Sequence, residues 1–320
     1  MKVEVNTQDI ISLLVRFKNF GLTYLISIVH LVINWIPVIL SLVLNKNLIE
    51  IQLRDDRTKR LLTREQVLNL IVAKSLEKVL DSRLNVRNNS VEFFFKKKKL
   101  LFYGIMENGW VVNEFLNFEY KSLPFQNKAV LDIGANTGGT AIYLALAGAK
   151  KVFAFEPFPL TFRYLIKNVQ TNKLSSCIQC LNFGIAGVDS LRLLPTNVSS
   201  LGARSMPYIH VRQGNKPQYQ KIKFVDLSEF IRDNVEGEFV IKADCEGCEY
   251  DIDWVAVIKS NENLVAISME YHNGSSTIIK QMESAGFLVV EGKNCEEGIG
   301  IITAVKKSIQ FYNGGPNGDE

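Results

Sequence analysis

The stretch Val130-Leu-Asp-Ile-Gly-Ala-Asn-Thr-Gly-Gly139 decides how this chain is read: an apolar strand ends on an acid, then a glycine-rich turn leads into an apolar helix. Lys128-Ala-Val-Leu131 feeds the strand, and Thr140-Ala-Ile-Tyr-Leu-Ala-Leu-Ala147 supplies the helix. The unsatisfied N–H groups of the first helical turn face whatever sits on the loop. Small residues at Gly134, Ala135 and Gly138 let the backbone approach a ligand closely. A dinucleotide fingerprint would read G-x-G-x-x-G, with a pyrophosphate on the helix start. Here Asn136 stands where the second glycine belongs, which makes a nicotinamide-dependent oxidoreductase the weaker reading.

A second strand, Lys151-Val-Phe-Ala-Phe155, ends in Glu156 and Pro157, with Glu156 placed 24 residues after Asp132. An acid at the tip of a second strand is positioned to accept both ribose hydroxyls of a nucleotide. Asp132 would repel a pyrophosphate but suits the amino group of a cationic sulfonium amino acid. Together the two acids point to S-adenosylmethionine (SAM).

Four ordered segments carry a resemblance: Asp132-Ile-Gly-Ala-Asn-Thr-Gly138, Phe155-Glu-Pro-Phe-Pro159, Leu165-Ile-Lys-Asn168 and Ile241-Lys-Ala-Asp-Cys-Glu-Gly-Cys-Glu249. They resemble successive motifs of the FkbM family of SAM-dependent methyltransferases, over about Val91 to Lys306. The resemblance implies an α/β fold, a Rossmann-like seven-stranded class I methyltransferase sheet with an antiparallel terminal hairpin. It also implies O-methylation of a hydroxyl, often on a sugar or a polyketide.

At 320 residues the chain can bury one sizeable core plus an appendage, and its 47% apolar and 22% charged content is ordinary for a globular protein. The basic run Lys96 to Lys99, set between Phe93-Phe-Phe95 and Leu100-Leu-Phe102, reads as a solvated hairpin turn, with an anionic membrane surface as the sharper alternative. Five cysteines, an odd number, do not resemble a secreted disulfide framework and favour a reducing compartment. The pairs Cys177/Cys180 and Cys245/Cys248 have zinc-like spacing. Residues three apart on a strand face opposite ways, however, and Cys177 to Cys180 lie in an expected strand, so no zinc is assigned.

From Asn19 to Asn45 there are 27 residues without a charged side chain. As one helix they would span roughly 40 Å, more than the ~30 Å hydrocarbon core of a bilayer. His30, Asn34 and Pro37 near the middle make a bent, half-inserted hairpin as good a reading as a transmembrane helix, and a soluble helical hairpin remains the alternative. Lys2, Arg16 and Lys18 precede the segment, while Lys46, Arg54, Arg57, Lys59, Arg60 and Arg64 follow it. That bias puts the catalytic part on the cytoplasmic side, associated with a membrane through residues 19–45.

The organisation expected is therefore an apolar helical N-terminal segment over 1–48, a connector or helical subdomain over 49–90, a methyltransferase domain over 91–312 and a flexible tail over 313–320. Thr63-Arg-Glu-Gln66 reads as a capping box before a helix over 67–80. Later strands and helices alternate, apart from a polar excursion over 188–221, which predicts a mostly parallel sheet covered on both faces.

In such sheets ligands lie beyond the carboxyl ends of the strands. The cofactor-binding candidates are Asp132, Gly134, Ala135, Asn136, Gly138, Glu156, Pro157, Asn182, Phe183 and Asp244. Methyl transfer to oxygen needs a base more than a nucleophile. His272, whose ordinary pKa lies near neutrality, leads the catalytic candidates, with Asp244 and Glu246 behind it. Asp244, Glu246, Glu270 and His272 carry donors that a divalent metal accepts, but the resemblance requires none and none is assigned. The expected acceptor is a small molecule, a glycan or a lipid-linked sugar. No aromatic-rich basic groove points to nucleic acid. A catalytically inactive membrane-associated scaffold is the remaining rival.

Overall fold

The computed structural model describes residues 22–77, 82–116, 120, 122–195, 219–292 and 298–307. The chain divides into two compact units, residues 1–116 with 166–173, and residues 117–165 with 174–320.

The first unit opens with helices α1 (Leu22–Leu31) and α2 (Trp35–Val43), followed by the antiparallel strands β1 (Leu48–Gln52) and β2 (Lys59–Thr63). The uncharged stretch is thus broken in its middle. Asn34 ends the run by clipping onto β1: its Nδ2 donates to the Glu50 carbonyl at 2.9 Å, and its Oδ1 accepts from Gln52 N at 2.7 Å. Pro37 falls in the first turn of α2, where a missing N–H leaves no intrahelical bond unmade. Among the described residues no helix is long and apolar enough to cross a membrane, and of the readings offered for residues 19–45 the single spanning helix gives way to two short helices over the described part. Residues 19–21 lie outside the described residues.

Helix α3 (Arg64–Ser75) starts at the expected capping box, with Thr63 Oγ1 accepting from Gln66 N at 3.2 Å and Gln66 Oε1 accepting from Thr63 N at 3.1 Å. A three-stranded meander follows, β3 (Asn85–Arg87), β4 (Ser90–Phe95) and β5 (Lys98–Tyr103). The lysine run does make the hairpin turn, and Lys96 and Lys97 both adopt left-handed φ values, 46° and 64°, as a two-residue hairpin of right-twisted strands demands. Phe93 and Phe102 stack at 5.8 Å and pack edge-on against Phe115 of α4 (Val111–Leu116).

The second unit alternates strand and helix. Its elements are β6 (Ala129–Ile133), α5 (Gly139–Leu146), β7 (Lys151–Phe155), α6 (Pro159–Thr171) and β8 (Ile178–Leu181). After β9 (Gly184–Ala186), β10 (Ser190–Pro195) and β11 (Tyr219–Asp226) come α7 (Leu227–Asn234), β12 (Phe239–Ala243) and α8 (Trp254–Ser260). The chain closes with β13 (Leu264–Tyr271), α9 (Ser276–Ser284), β14 (Phe287–Glu291) and β15 (Gly300–Lys306). Seven strands form one sheet in the order β14-β15-β13-β12-β6-β7-β8. Only β15 runs against its neighbours, which makes the expected terminal hairpin. Leu131, Phe153, Ile241 and Ile267 bury one face under Phe230 of α7, Trp254 of α8 and Met282 of α9.

The excursion over 188–221 is not irregular throughout. Strands β10 and β11 pair antiparallel, and β11 adds parallel to β9, giving a separate three-stranded sheet. Residues 196–218, His210 among them, lie outside the described residues.

The last turns of α6 group with the first unit. Asn168 there, and Asn172 just past the helix end, bond to β5 as a neighbouring strand would. Asn168 accepts from Tyr103 N at 2.7 Å and donates to its carbonyl at 3.1 Å, while Asn172 accepts from Leu101 N at 3.1 Å and donates to its carbonyl at 2.9 Å.

Candidate cofactor and acceptor site

The loop after β6 is shaped by what it cannot accommodate. A Cβ on Gly134 would lie 1.8 Å from the carbonyl oxygen of Asp244, and Gly134 sits at φ +77°. The backbone after β6 and the backbone after β12 therefore touch only because residue 134 has no side chain. Asn136 has φ 50°, a left-handed conformation that asparagine tolerates better than other non-glycine residues, so the loop makes its turn here without the second glycine of a dinucleotide fingerprint. Gly134 N and Ala135 N both donate to the Phe155 carbonyl, at 3.1 and 2.9 Å. Gly138 caps α5 in a left-handed conformation, and a Cβ there would meet Leu165 at 2.8 Å.

Glu156 is the brace of this loop. It is 1% exposed, with Oε2 accepting from Asn136 N at 3.1 Å and Oε1 accepting from Phe158 N at 2.8 Å. Asn182 Nδ2 donates to the Glu156 and Pro157 carbonyls at 2.9 and 3.3 Å, which places it beside Glu156 with its amide turned onto backbone. Phe183 packs against Phe155 at 5.6 Å and Phe230 at 6.1 Å, partly inside the core.

Asp132 is more enclosed than the sequence predicts. Its side chain has no exposure, and Lys242 Nζ, itself 3% exposed, lies 3.0 Å from Oδ1. The same ammonium donates to the Gly134 carbonyl at 3.1 Å and sits 5.5 Å from the Tyr120 ring centre. Burial raises the Asp132 pKa, Lys242 opposes that rise, and Asp244 adds to it, leaving the carboxyl above its ordinary value. Asp132 is thus linked to the loop backbone at Gly134 through Lys242. Lys242 was not among the sequence candidates. Its signal was an isolated lysine in Phe-Val-Ile-Lys-Ala, paired in register with the isolated acid of Ala-Val-Leu-Asp-Ile.

The acceptor end gathers the three catalytic candidates. Asp244 follows β12, Glu246 turns the chain at φ 56°, and His272 follows β13. His272 Nε2 lies 3.6 Å from Glu246 Oε2, 3.7 Å from Glu270 Oε1 and 3.9 Å from Asp244 Oδ1. Its other nitrogen, Nδ1, is 2.9 Å from Glu249 Oε1. Glu249 is fully enclosed and also accepts from His272 N at 3.2 Å and Gly247 N at 2.8 Å. Tyr250 Oη accepts from Asn273 N at 2.6 Å and donates to the Gly274 carbonyl at 3.0 Å, pinning the turn after His272. Burial alone would lower the His272 pKa, but its hydrogen bond to Glu249 and the charges of Glu249, Glu246 and Asp244 outweigh that and raise it to about 9. The imidazole expected to titrate near neutrality is therefore protonated there. Glu249 and Tyr250 escaped sequence reasoning because their partner is more than 20 residues away.

Cys245 and Cys248 form a disulfide inside this same turn, against the expectation of a chain without one. Cys177 and Cys180 are free thiols. Burial raises both their pKa values, that of Cys180 to about 11. The four sulfurs do not assemble into a thiolate site.

The strand order, the lone antiparallel strand and the glycine loop at the end of the central strand β6 define a class I, SAM-dependent methyltransferase fold. Residues 132–288 match the methyltransferase FkbM domain, and that segment of the chain is an FkbM methyltransferase domain. The match indicates SAM as the cofactor, and the side-chain-free approach at Gly134 together with the braced carboxylate of Glu156 fits it. No curated protein sequence matches the chain. Among solved structures it is similar to the METTL16 MTase domain, with TM-score 0.42, 11% identity and coverage of 82% of this chain and 87% of that one. It is also similar to M. capricolum TrmK in complex with S-adenosyl-homocysteine, with TM-score 0.38, 13% identity and coverage of 60% and 70%. A third is the precorrin-6y C5,15-methyltransferase of Geobacter metallireducens, with TM-score 0.35, 14% identity and coverage of 61% and 87%.

Proposed function

We propose that this domain transfers the methyl group of SAM to a hydroxyl oxygen of a small molecule, a glycan or a lipid-linked sugar. The observation supporting this reading is the convergence of Asp244, Glu246 and Glu270 on His272 where β12 and β13 end, beside the cofactor loop. The bound cofactor supplies a methyl carbon already activated by its sulfonium. The chain's part is to place an acceptor oxygen in line with that carbon and to take its proton.

In this reading Gly134, Ala135, Asn136 and Gly138 supply the close backbone, Glu156 and Pro157 the ribose side, and Asn182 with Phe183 the adenine side. Asp132 fixes Gly134 through Lys242. Asp244 or Glu246 accepts the acceptor proton, and His272, carrying its own proton, offsets the charge that gathers there. The α1–α2 hairpin supports contact with a membrane surface on the cytoplasmic side. It exposes Trp35, Ile36, Leu40 and Leu44, and Lys46, Arg54 and Arg57 follow it, the pattern of an in-plane anchor.

The test is transfer of labelled methyl groups from SAM into separated lipid, glycan, small-molecule and RNA fractions. Label in a hydroxyl-bearing lipid, glycan or small molecule is the expected result. Label confined to RNA overturns the acceptor class. A thermal shift with NAD in place of SAM supports the oxidoreductase, and SAM binding without transfer to any fraction supports the inactive scaffold. Flotation with anionic vesicles tests the surface contact.

A further inference from the structure

We infer that Asp244, Glu270 and His272 form a binding site for one divalent cation of the Mn²⁺ class, which takes carboxylate oxygen and imidazole nitrogen together. One ligating atom from each of the three residues lies within 4.8 Å of the others. The measured separations, 3.7 Å from His272 Nε2 to Glu270 and 3.9 Å to Asp244, are too long for hydrogen bonds. They suit a shared ion. With metal–ligand bonds of about 2.1 Å, adjacent ligands sit ~3.0 Å apart and opposite ones ~4.2 Å apart, so both distances from His272 fall inside the span an ion bridges.

The histidine supplies the independent observation. Its side chain is only 8% exposed, and among the described residues Nε2 makes no hydrogen bond although it points into the carboxylates. Nδ1, by contrast, is committed to the enclosed Glu249 at 2.9 Å, and Glu249 also holds the His272 main chain. A carboxylate on one imidazole nitrogen with the other directed at acidic ligands is the usual orienting arrangement of a metal-bound histidine. Lys242, the nearby cation, is engaged with Asp132 and Gly134. Three protein ligands on a six-coordinate ion leave about three positions open, where an acceptor hydroxyl binds and loses its proton more readily. Binding displaces the proton that Nε2 carries in the ion-free protein, and the ion then takes over the charge compensation assigned above to His272. That catalytic role rests on the function proposed above; cation binding does not.

Mn²⁺ titration of the full-length protein, followed by loss of the free-ion electron paramagnetic resonance signal, reads the site without turnover. One bound equivalent is expected. Glu270→Gln and His272→Gln should each weaken Mn²⁺ at least about tenfold, and Glu249→Gln, acting through the imidazole, about 10- to 100-fold. SAM binding and the melting profile of each variant, recorded alongside, show that it is folded. Where a variant does not fold, Mn²⁺ protection of Asp244 and Glu270 from carbodiimide labelling in the wild type gives the same reading. Failure of the wild type to bind Mn²⁺ while binding SAM overturns the cation site and leaves the methyltransferase reading intact. Unchanged Mn²⁺ affinity in folded Glu270→Gln and His272→Gln also overturns it. Loss of SAM binding in the wild type would instead strike the proposed function.

Discussion

Replacing Lys242 by methionine keeps most of the side-chain volume and removes the ammonium 3.0 Å from the enclosed Asp132. Breaking a buried ion pair on one side costs about 3–5 kcal/mol, because the remaining charge is stranded. Asp132 has an escape, however, which is to take up a proton. From an ordinary value of 3.8, neutralising it at pH 7 costs about 4 kcal/mol and at pH 5 about 2 kcal/mol, at 1.36 kcal/mol per unit. The loss in Lys242→Met is therefore capped near these figures. The folded-state pKa of Asp132 is raised already and rises further without Lys242, so the variant is relatively best below pH 3.8 and loses stability as pH climbs toward the raised value. Urea unfolding at pH 5 and pH 7 measures both ends. Asp132→Asn/Lys242→Met should recover part of the loss at pH 7, since no ionised group remains to be stranded. A Lys242→Met protein within about 1 kcal/mol of wild type at pH 7, or one whose deficit is the same at both pH values, refutes the pair as the support of this loop.

Gly134→Ala should abolish SAM binding in isothermal titration and lower the melting temperature, because its Cβ would overlap the Asp244 carbonyl at 1.8 Å; retained affinity would mean that the two loops are not in contact. Glu156→Ala removes the acceptor for Asn136 N and Phe158 N as well as the proposed ribose contact, and SAM affinity should fall by about one to two orders of magnitude. In mass-spectrometric alkylation at pH 8 without reductant, Cys180, with its pKa near 11, should react about a hundredfold more slowly than an ordinary thiol. Cys245 and Cys248 should take label only after reduction, and label on either beforehand would contradict their bond.

Local signals in the sequence were enough for the sheet. Apolar runs ending in Asp132 and Glu156, and the regular return of helices, specify β6, β7 and their neighbours because each strand carries its own pattern. What depends on two distant segments was not legible. Asp132 and Lys242 each look like an anomaly in an apolar strand until β6 and β12 lie side by side and make them one pair. The protonation of His272 is decided by Glu249, Glu246 and Asp244, all on another loop. Composition marked residues 19–45 as apolar but could not show that the amide of Asn34 would bind β1 and split the run into two short helices. Strands β10 and β11 were hidden because Leu191 and Leu193 are exposed while the alternating positions include a half-buried Arg192 and only one buried leucine, Leu194, and the whole segment reads as polar.

An open strand edge invites company, since its unpaired N–H and C=O groups are a template for any extended chain that drifts past. The two asparagine amides on and just past α6 deny β5 that role, each filling the donor and the acceptor of one residue, Tyr103 or Leu101, as a further strand would. Side chains on a helix cannot be extended into another sheet, so the pairing stops with them. With leucine at both positions those four backbone groups would lose their partners while still covered, at a cost of about 1–3 kcal/mol for each group left unsatisfied.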